Sequence, residues 1–188
     1  SVLDINDHAP DVVLRTPAPV SEFATISQEL ACSGGPCIVC TDEDTNEKGE
    51  CTFEFAAGNT GGAFAIDGKT GIISVAAGLD RESADLVLIR SQRGYRLSVR
   101  VSNAEGPASG TWTPEIFVLE VVIADENDHS PVLMTVVNGP ISEFEAPGTL
   151  VAQASATDKD IGINSKITYS INEDESNAFV KSFAIDAS

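Results

Sequence analysis

Basic residues are scarce in this chain: 11 Lys and Arg stand against 29 Asp and Glu, a formal net charge of −18. Such a surface repels polyanions, which excludes nucleic acid and anionic membrane surfaces as partners and favours cations. Histidine is limited to His8 and His129. Neither has a Ser, Cys or Asp arranged plausibly around it, so no hydrolytic triad and no enzymatic role are expected. Apolar runs stay below the roughly 18 residues of a membrane span and no signal-peptide pattern opens the chain, so any anchor is expected outside this sequence. Asn-x-Ser/Thr does not occur, so glycosylation gives no clue to compartment.

What is present is repeated. Asp4-Ile5-Asn6-Asp7-His8-Ala9-Pro10 returns as Asp125-Glu126-Asn127-Asp128-His129-Ser130-Pro131, and the same offset of 121 aligns Ser21, Glu22 and Phe23 with Ser142, Glu143 and Phe144. A match that long at one offset marks tandem modules. The expected division is a linker from a preceding module over 1–10, a complete module over 11–124, a linker over 125–130, and over 131–188 the first half of a second module. Half a module cannot bury a complete core, so the sequence is expected to be a fragment of a longer chain.

Read in order, Asp11–Arg15 and Val20–Ile26 form a first strand interrupted at Pro17 and Pro19, since proline is tolerated only at strand edges and breaks. Cys37–Thr41 is a short apolar run. Cys51, Phe53 and Phe55 alternate with polar residues, as do Phe64 with Ile66, Ile73 with Val75, and Tyr95, Leu97, Val99 and Val101. This period of two belongs to half-buried strands. With Glu115–Ala124 it predicts an all-β fold, an antiparallel seven-stranded Greek-key β-sandwich, its tandem modules forming a rod. Only Ser83–Gly94 is ambiguous: Leu86-Val87-Leu88-Ile89 suits an extra strand or a short helix.

Two loops are rich in oxygen donors, Asp42-Glu43-Asp44-Thr45-Asn46-Glu47-Lys48 and Asp158-Lys159-Asp160-Ile161-Gly162-Ile163-Asn164. Calcium takes six to eight oxygens, and clustered Asp, Glu and Asn with backbone carbonyls supply them. An EF-hand is excluded, because the glycine it needs at its sixth position is Glu47 or Ile163 and the glutamate at its twelfth is Phe53 or Tyr169.

Taken together, the ordered motifs resemble the cadherin family. They are the two Asp-x-Asn-Asp-x-x-Pro linkers, Phe64-x-Ile66-Asp67-x-x-Thr70-Gly71-x-Ile73, Leu79-Asp80-Arg81-Glu82, Asp158-x-Asp160-x-Gly162-x-Asn164 and an Ile167-x-Tyr169-x-Ile171 strand. The resemblance implies extracellular repeats of a probable single-pass membrane protein, joined by linkers that bind Ca²⁺ and stiffen a rod for cell-cell adhesion. At the second linker it implies Glu22, Asp80 and Glu82 from the first module, then Asp125, Asn127 and Asp128 with the carbonyls of Glu126 and His129. Asp158, Asp160 and the carbonyl of Asn164 complete the set. At the first linker it implies Asn6, Asp7, His8, Asp42 and Asp44. There Lys48 replaces the loop asparagine and Ser102-Asn103-Ala104 stands where the family places an aspartate. Both changes fall on one outer ion, which is expected to bind weakly or not at all.

Partners implied are calcium, neighbouring repeats of the same chain, and a homophilic or heterophilic cell-surface protein. The competing reading is a calcium-dependent ligand- or glycan-binding sandwich without an adhesive role. Cys32, Cys37, Cys40 and Cys51 permit three pairings. Cys32–Cys37 with Cys40–Cys51 is preferred, because Cys40 and Cys51 align with Ala156 and Ile167 at inward strand positions. Disulfides imply an oxidising, extracellular setting. The Cys-x4-Cys-x2-Cys spacing also begins an iron–sulfur pattern, and a zinc site is the third option. Trp112 is read as a packed or semi-exposed loop residue.

Overall fold

The computed structural model describes residues 7–45, 49–103, 115–137, 139–171 and 182–186. Asn6, Lys48 and Trp112, singled out above, lie outside them. The chain divides into two compact units, Ser1–Glu126 and Asn127–Ser188.

In the first unit the alternating segments are strands, and the fold is all-β. The central sheet is built on β8 (Gln92–Ser102) and β9 (Glu115–Ala124), antiparallel neighbours with Tyr95 opposite Val121 and Leu97 opposite Leu119. On its other edge β8 pairs with β4 (Thr52–Ala57). The interrupted first strand is two strands, as its prolines require. β1 (Asp11–Leu14) pairs with β3 (Ile38–Thr41), and β2 (Val20–Ser21) runs parallel to the end of β9. A β5–β6 hairpin (Phe64–Ile66, Ile73–Val75) continues through Ser27–Leu30, which exchanges backbone hydrogen bonds with Ile73 and Val75.

One core joins these layers. Leu97, Val99, Val101, Leu119, Val121 and Ile123 from the central sheet cluster with Ile38, Phe64, Ile73 and Val75. Phe64 meets Tyr95 edge to face, ring centroids 5.2 Å apart, a geometry favoured by the aromatic quadrupole. The ambiguous 83–94 segment is a strand: β7 (Val87–Ile89) pairs with the start of β8 around a two-residue turn. Arg90 (φ 49°) and Ser91 (φ 72°) both take positive φ there, as the twist of a tight hairpin demands. Gly58 is needed for a different reason. It sits at φ +82° beyond a register shift in β4, where a Cβ would lie 1.8 Å from the Arg96 carbonyl oxygen.

In the second unit β10 (Val132–Val137) and β11 (Ala152–Thr157) form an antiparallel pair. Leu133, Met134 and Phe144 remain more than half exposed. The expected strand over 167–171 is not formed. Its counterpart in the first unit, β4, owes its ladder to β8, and no described residue of the second unit supplies such a neighbour.

Candidate metal centre

Three groups of carboxylates are built by the fold, two in the first unit and one in the second. The first forms where β2 and β9 end. Glu22, only 4% exposed, accepts hydrogen bonds from the backbone N–H of Arg81 (2.9 Å) and of Glu126 (2.7 Å). One carboxylate thereby fixes the 79–82 turn and the start of the linker to the same strand end. Asp80 accepts from the N–H of Glu82 (2.9 Å), which tightens the turn that carries both acids. Glu22, Asp80 and Glu82 each bring an oxygen within 4.8 Å of the others.

Arg81 completes this group, and the motifs had not assigned it a role. Its guanidinium lies 3.0 Å from Glu82 and 3.3 Å from Asp125, with all three side chains largely buried. Ser21 donates to the carboxylate of Glu126. The fixed positive charge offsets part of the repulsion among the acids.

At the opposite end of the β8–β9 ladder lies the second group. Asp42 follows β3 and accepts from the N–H of Asp44 (2.8 Å). Asp44 accepts from the N–H of His8 (3.1 Å), and its carboxylate meets the His8 ring at 2.9 Å, with Asp7 3.1 Å from the same nitrogen. Asn103, one residue beyond β8, donates to Asp42 (3.0 Å). The hydrogen bond that the His8 ring donates to Asp44, helped by Asp7 and Glu43, raises the His8 pKa against the opposing desolvation. Desolvation pushes Asp44 upward, but the bonds from His8 and Asp7 outweigh it and hold the carboxyl below its ordinary value.

The second unit repeats this arrangement. Asp160 accepts from the N–H of His129 (3.3 Å) and lies 3.1 Å from its ring, Asp128 lies 2.7 Å from that ring nitrogen, and Asp160 donates its own N–H to Asp158 (3.0 Å). Desolvation lowers the His129 pKa, yet the contacts with Asp128 and Asp160 raise it overall. Asn164 closes the following turn by donating its N–H to Ile161 (3.2 Å). The sequence assigned His8 and His129 only a carbonyl. Their rings in fact bridge two acids in each unit, and the recurrence of histidine at both copies was the available signal.

The donor sets suit a hard cation. Calcium–oxygen distances of about 2.3–2.6 Å place two ligands of one ion no more than about 5 Å apart, and the 4.8 Å spread of Glu22, Asp80 and Glu82 satisfies that limit. A carboxylate oxygen carries two lone pairs, so accepting one N–H does not by itself prevent it from ligating a cation. The cysteines, by contrast, are paired as preferred, Cys32–Cys37 and Cys40–Cys51, with no free thiol. That disposes of the iron–sulfur and zinc readings at those residues.

Residues 37–119 match the family model for the cadherin domain. Mouse Cadherin-23 is 34% identical over 180 residues, covering 92% of this chain and 5% of that protein. Among solved structures, protocadherin gamma B2 extracellular cadherin domains 1–5 superpose with a TM-score of 0.67 at 25% identity, covering 88% of this chain and 28% of that one. Mouse Cadherin-23 EC22-24 superposes with a TM-score of 0.62 at 25% identity, covering 88% and 48%. The chain thus spans only a small part of the curated relatives it matches. With its ordered motifs, its β-sandwich and these similarities, the chain belongs to the cadherin superfamily.

Proposed function

We propose that this chain is a calcium-binding extracellular segment of a cadherin-like cell-surface protein, and that Ca²⁺ at the linker between its repeats stiffens them for cell-cell adhesion. The observation that carries the reading is the convergence of Glu22, Asp80 and Glu82 within 4.8 Å, from positions about sixty residues apart, on the strand end that leads into Asp125. Ca²⁺ would supply positive charge that many oxygens can share.

The residues proposed to hold it are Glu22, Asp80, Glu82, Asp125, Asn127, Asp128, Asp158 and Asp160, with the carbonyls of Glu126, His129 and Asn164. Seven of these are carboxylates. Two like charges 4 Å apart repel by about 4 kcal/mol at an effective dielectric near 20. Without cations that repulsion opposes a fixed joint, and with them it becomes shared attraction. The joint is then a hinge or a strut according to calcium. Asp7, Asp42, Asp44 and the carbonyl of His8, with Asn6, are proposed as a second and weaker set at the first linker, where Lys48 stands in place of the loop asparagine and Asn103 in place of an acid.

A homophilic or heterophilic partner at the cell surface is part of this reading. Ile116 and Val118, more than half exposed on the outer face of β9, support such a contact. Relatives described as extracellular domains support the location outside the cell. Calcium titration by calorimetry tests the metal. Glu82→Gln keeps an oxygen for Arg81 while removing one charged ligand, and should weaken binding about tenfold or more. Equal affinity in the two proteins would refute the assignment.

A further inference from the structure

We infer that the Cys40–Cys51 disulfide positions the first-linker cation site by holding the two strand ends that carry Asp42 and Asn103 at a fixed separation. The inference rests on the calcium reading above, with the first linker binding its ion weakly rather than not at all.

Cys40 lies in β3, two residues before Asp42, and β3 is hydrogen-bonded to β1 alone among the described strands. Cys51 immediately precedes β4, whose first residue, Thr52, is paired with Ser102 at the end of β8. Thr52 also reaches the carbonyl of Ser102 with its hydroxyl (3.0 Å). Asn103 is the next residue. The disulfide is therefore a covalent tie between two sheets: Cys40 lies two residues before Asp42, and Cys51 adjoins the Thr52 that pairs with Ser102, the neighbour of Asn103.

The returning chain is held just as closely. A Cβ on Gly49 would lie 2.3 Å from the backbone oxygen of Asp44, so the segment before Cys51 packs directly on the residue that holds His8. If the tie is opened, the end of β3 can part from the ends of β4 and β8. Asp42 then loses its fixed distance to Asn103, and a cation must spend binding energy to restore it. In the second unit Ala156 and Ile167 occupy the cysteine positions, and Asp158, Asp160 and His129 hold each other without a disulfide. Cys40→Ala with Cys51→Ile therefore removes the tie using residues the repeat already accommodates. Cys32–Cys37 closes the loop just before β3, at the opposite end of that strand from Asp42, and is the internal control.

The test follows the Asn103 side-chain amide by NMR during a Ca²⁺ titration of the intact chain. The double variant should bind Ca²⁺ at this site about tenfold more weakly, within the usual range of coupled equilibria. Linkage requires the reciprocal effect. In a dithiothreitol redox buffer, where each disulfide exchanges to two thiols as the dithiol becomes a cyclic disulfide, saturating Ca²⁺ should oppose reduction of Cys40–Cys51 by the same factor. Cys32–Cys37 should shift less than about twofold; alkylation and mass spectrometry read both, with no variant needed. Unchanged affinity in the double variant, or equal calcium effects on the two disulfides, overturns the inference. An Asn103 amide blind to Ca²⁺ while Glu22, Asp80 and Glu82 respond also overturns it and leaves the calcium reading standing. If neither end responds, both fall.

Discussion

Neutralising one acid of the first group should have opposite consequences with and without metal. Asp80→Asn retains the oxygen that accepts from the Glu82 N–H, so the turn is preserved. It removes one charge from a cluster whose ligand oxygens lie within 4.8 Å of one another. A pair of unit charges at that distance repels by about 0.9 kcal/mol in water and about 3.5 kcal/mol at an effective dielectric of 20. Asp80 is exposed, so the lower figure applies to each of its two neighbours, Glu22 and Glu82, less what Arg81 already offsets. In EDTA the variant should gain about 1 kcal/mol, a rise in Tm of about 4 °C for a unit of this size. With saturating Ca²⁺ a tenfold loss of affinity costs about 1.4 kcal/mol of linked stability, so the advantage disappears or reverses. Differential scanning calorimetry of both proteins in EDTA and in Ca²⁺ measures this crossing. A variant less stable than the parent in EDTA, or an equal calcium-dependent rise in Tm for both, would refute the reasoning.

Two further predictions concern the scaffold. Asp67 accepts from the N–H of Thr70 and Lys69, and these bonds hold its pKa below the ordinary aspartate value. Its stabilisation is therefore present above the unfolded-state pKa and lost as pH falls through the lower folded value. NMR should find Asp67 titrating lower than a free aspartate, and Asp67→Asn should flatten acid unfolding in that window; an ordinary titration would contradict this. Gly58→Ala, which meets the Arg96 carbonyl at positive φ, should cost roughly 2 kcal/mol or more in urea unfolding, and a loss under 0.5 kcal/mol would show that β4 relaxes freely.

Much of the fold was legible because burial is written as alternation. Tyr95, Leu97, Val99 and Val101 face the core as their period implies, and Pro17 and Pro19 mark the break between β1 and β2. Periodicity failed where the run was short, at Val87–Ile89, because a strand and a helix turn look alike over three residues. It misled at Ile167–Ile171, where alternation is present but no described neighbour offers a ladder. The acids of each group were legible from motifs that resemble those of the family, two of which recur in this chain. Arg81 and the histidine rings were not, since their roles depend on distances: 3.0 Å from Arg81 to Glu82, 2.9 Å from His8 to Asp44. No linear pattern encodes those.

The central claim is that cations hold the acids of the second linker together, and limited proteolysis across residues 125–131 addresses it most directly. Cleavage products are identified by mass spectrometry in Ca²⁺ and after chelation with EDTA. The account predicts protection in Ca²⁺ and rapid cutting between Asp125 and Pro131 once the metal is removed. Cleavage at the same rate in both conditions would contradict it.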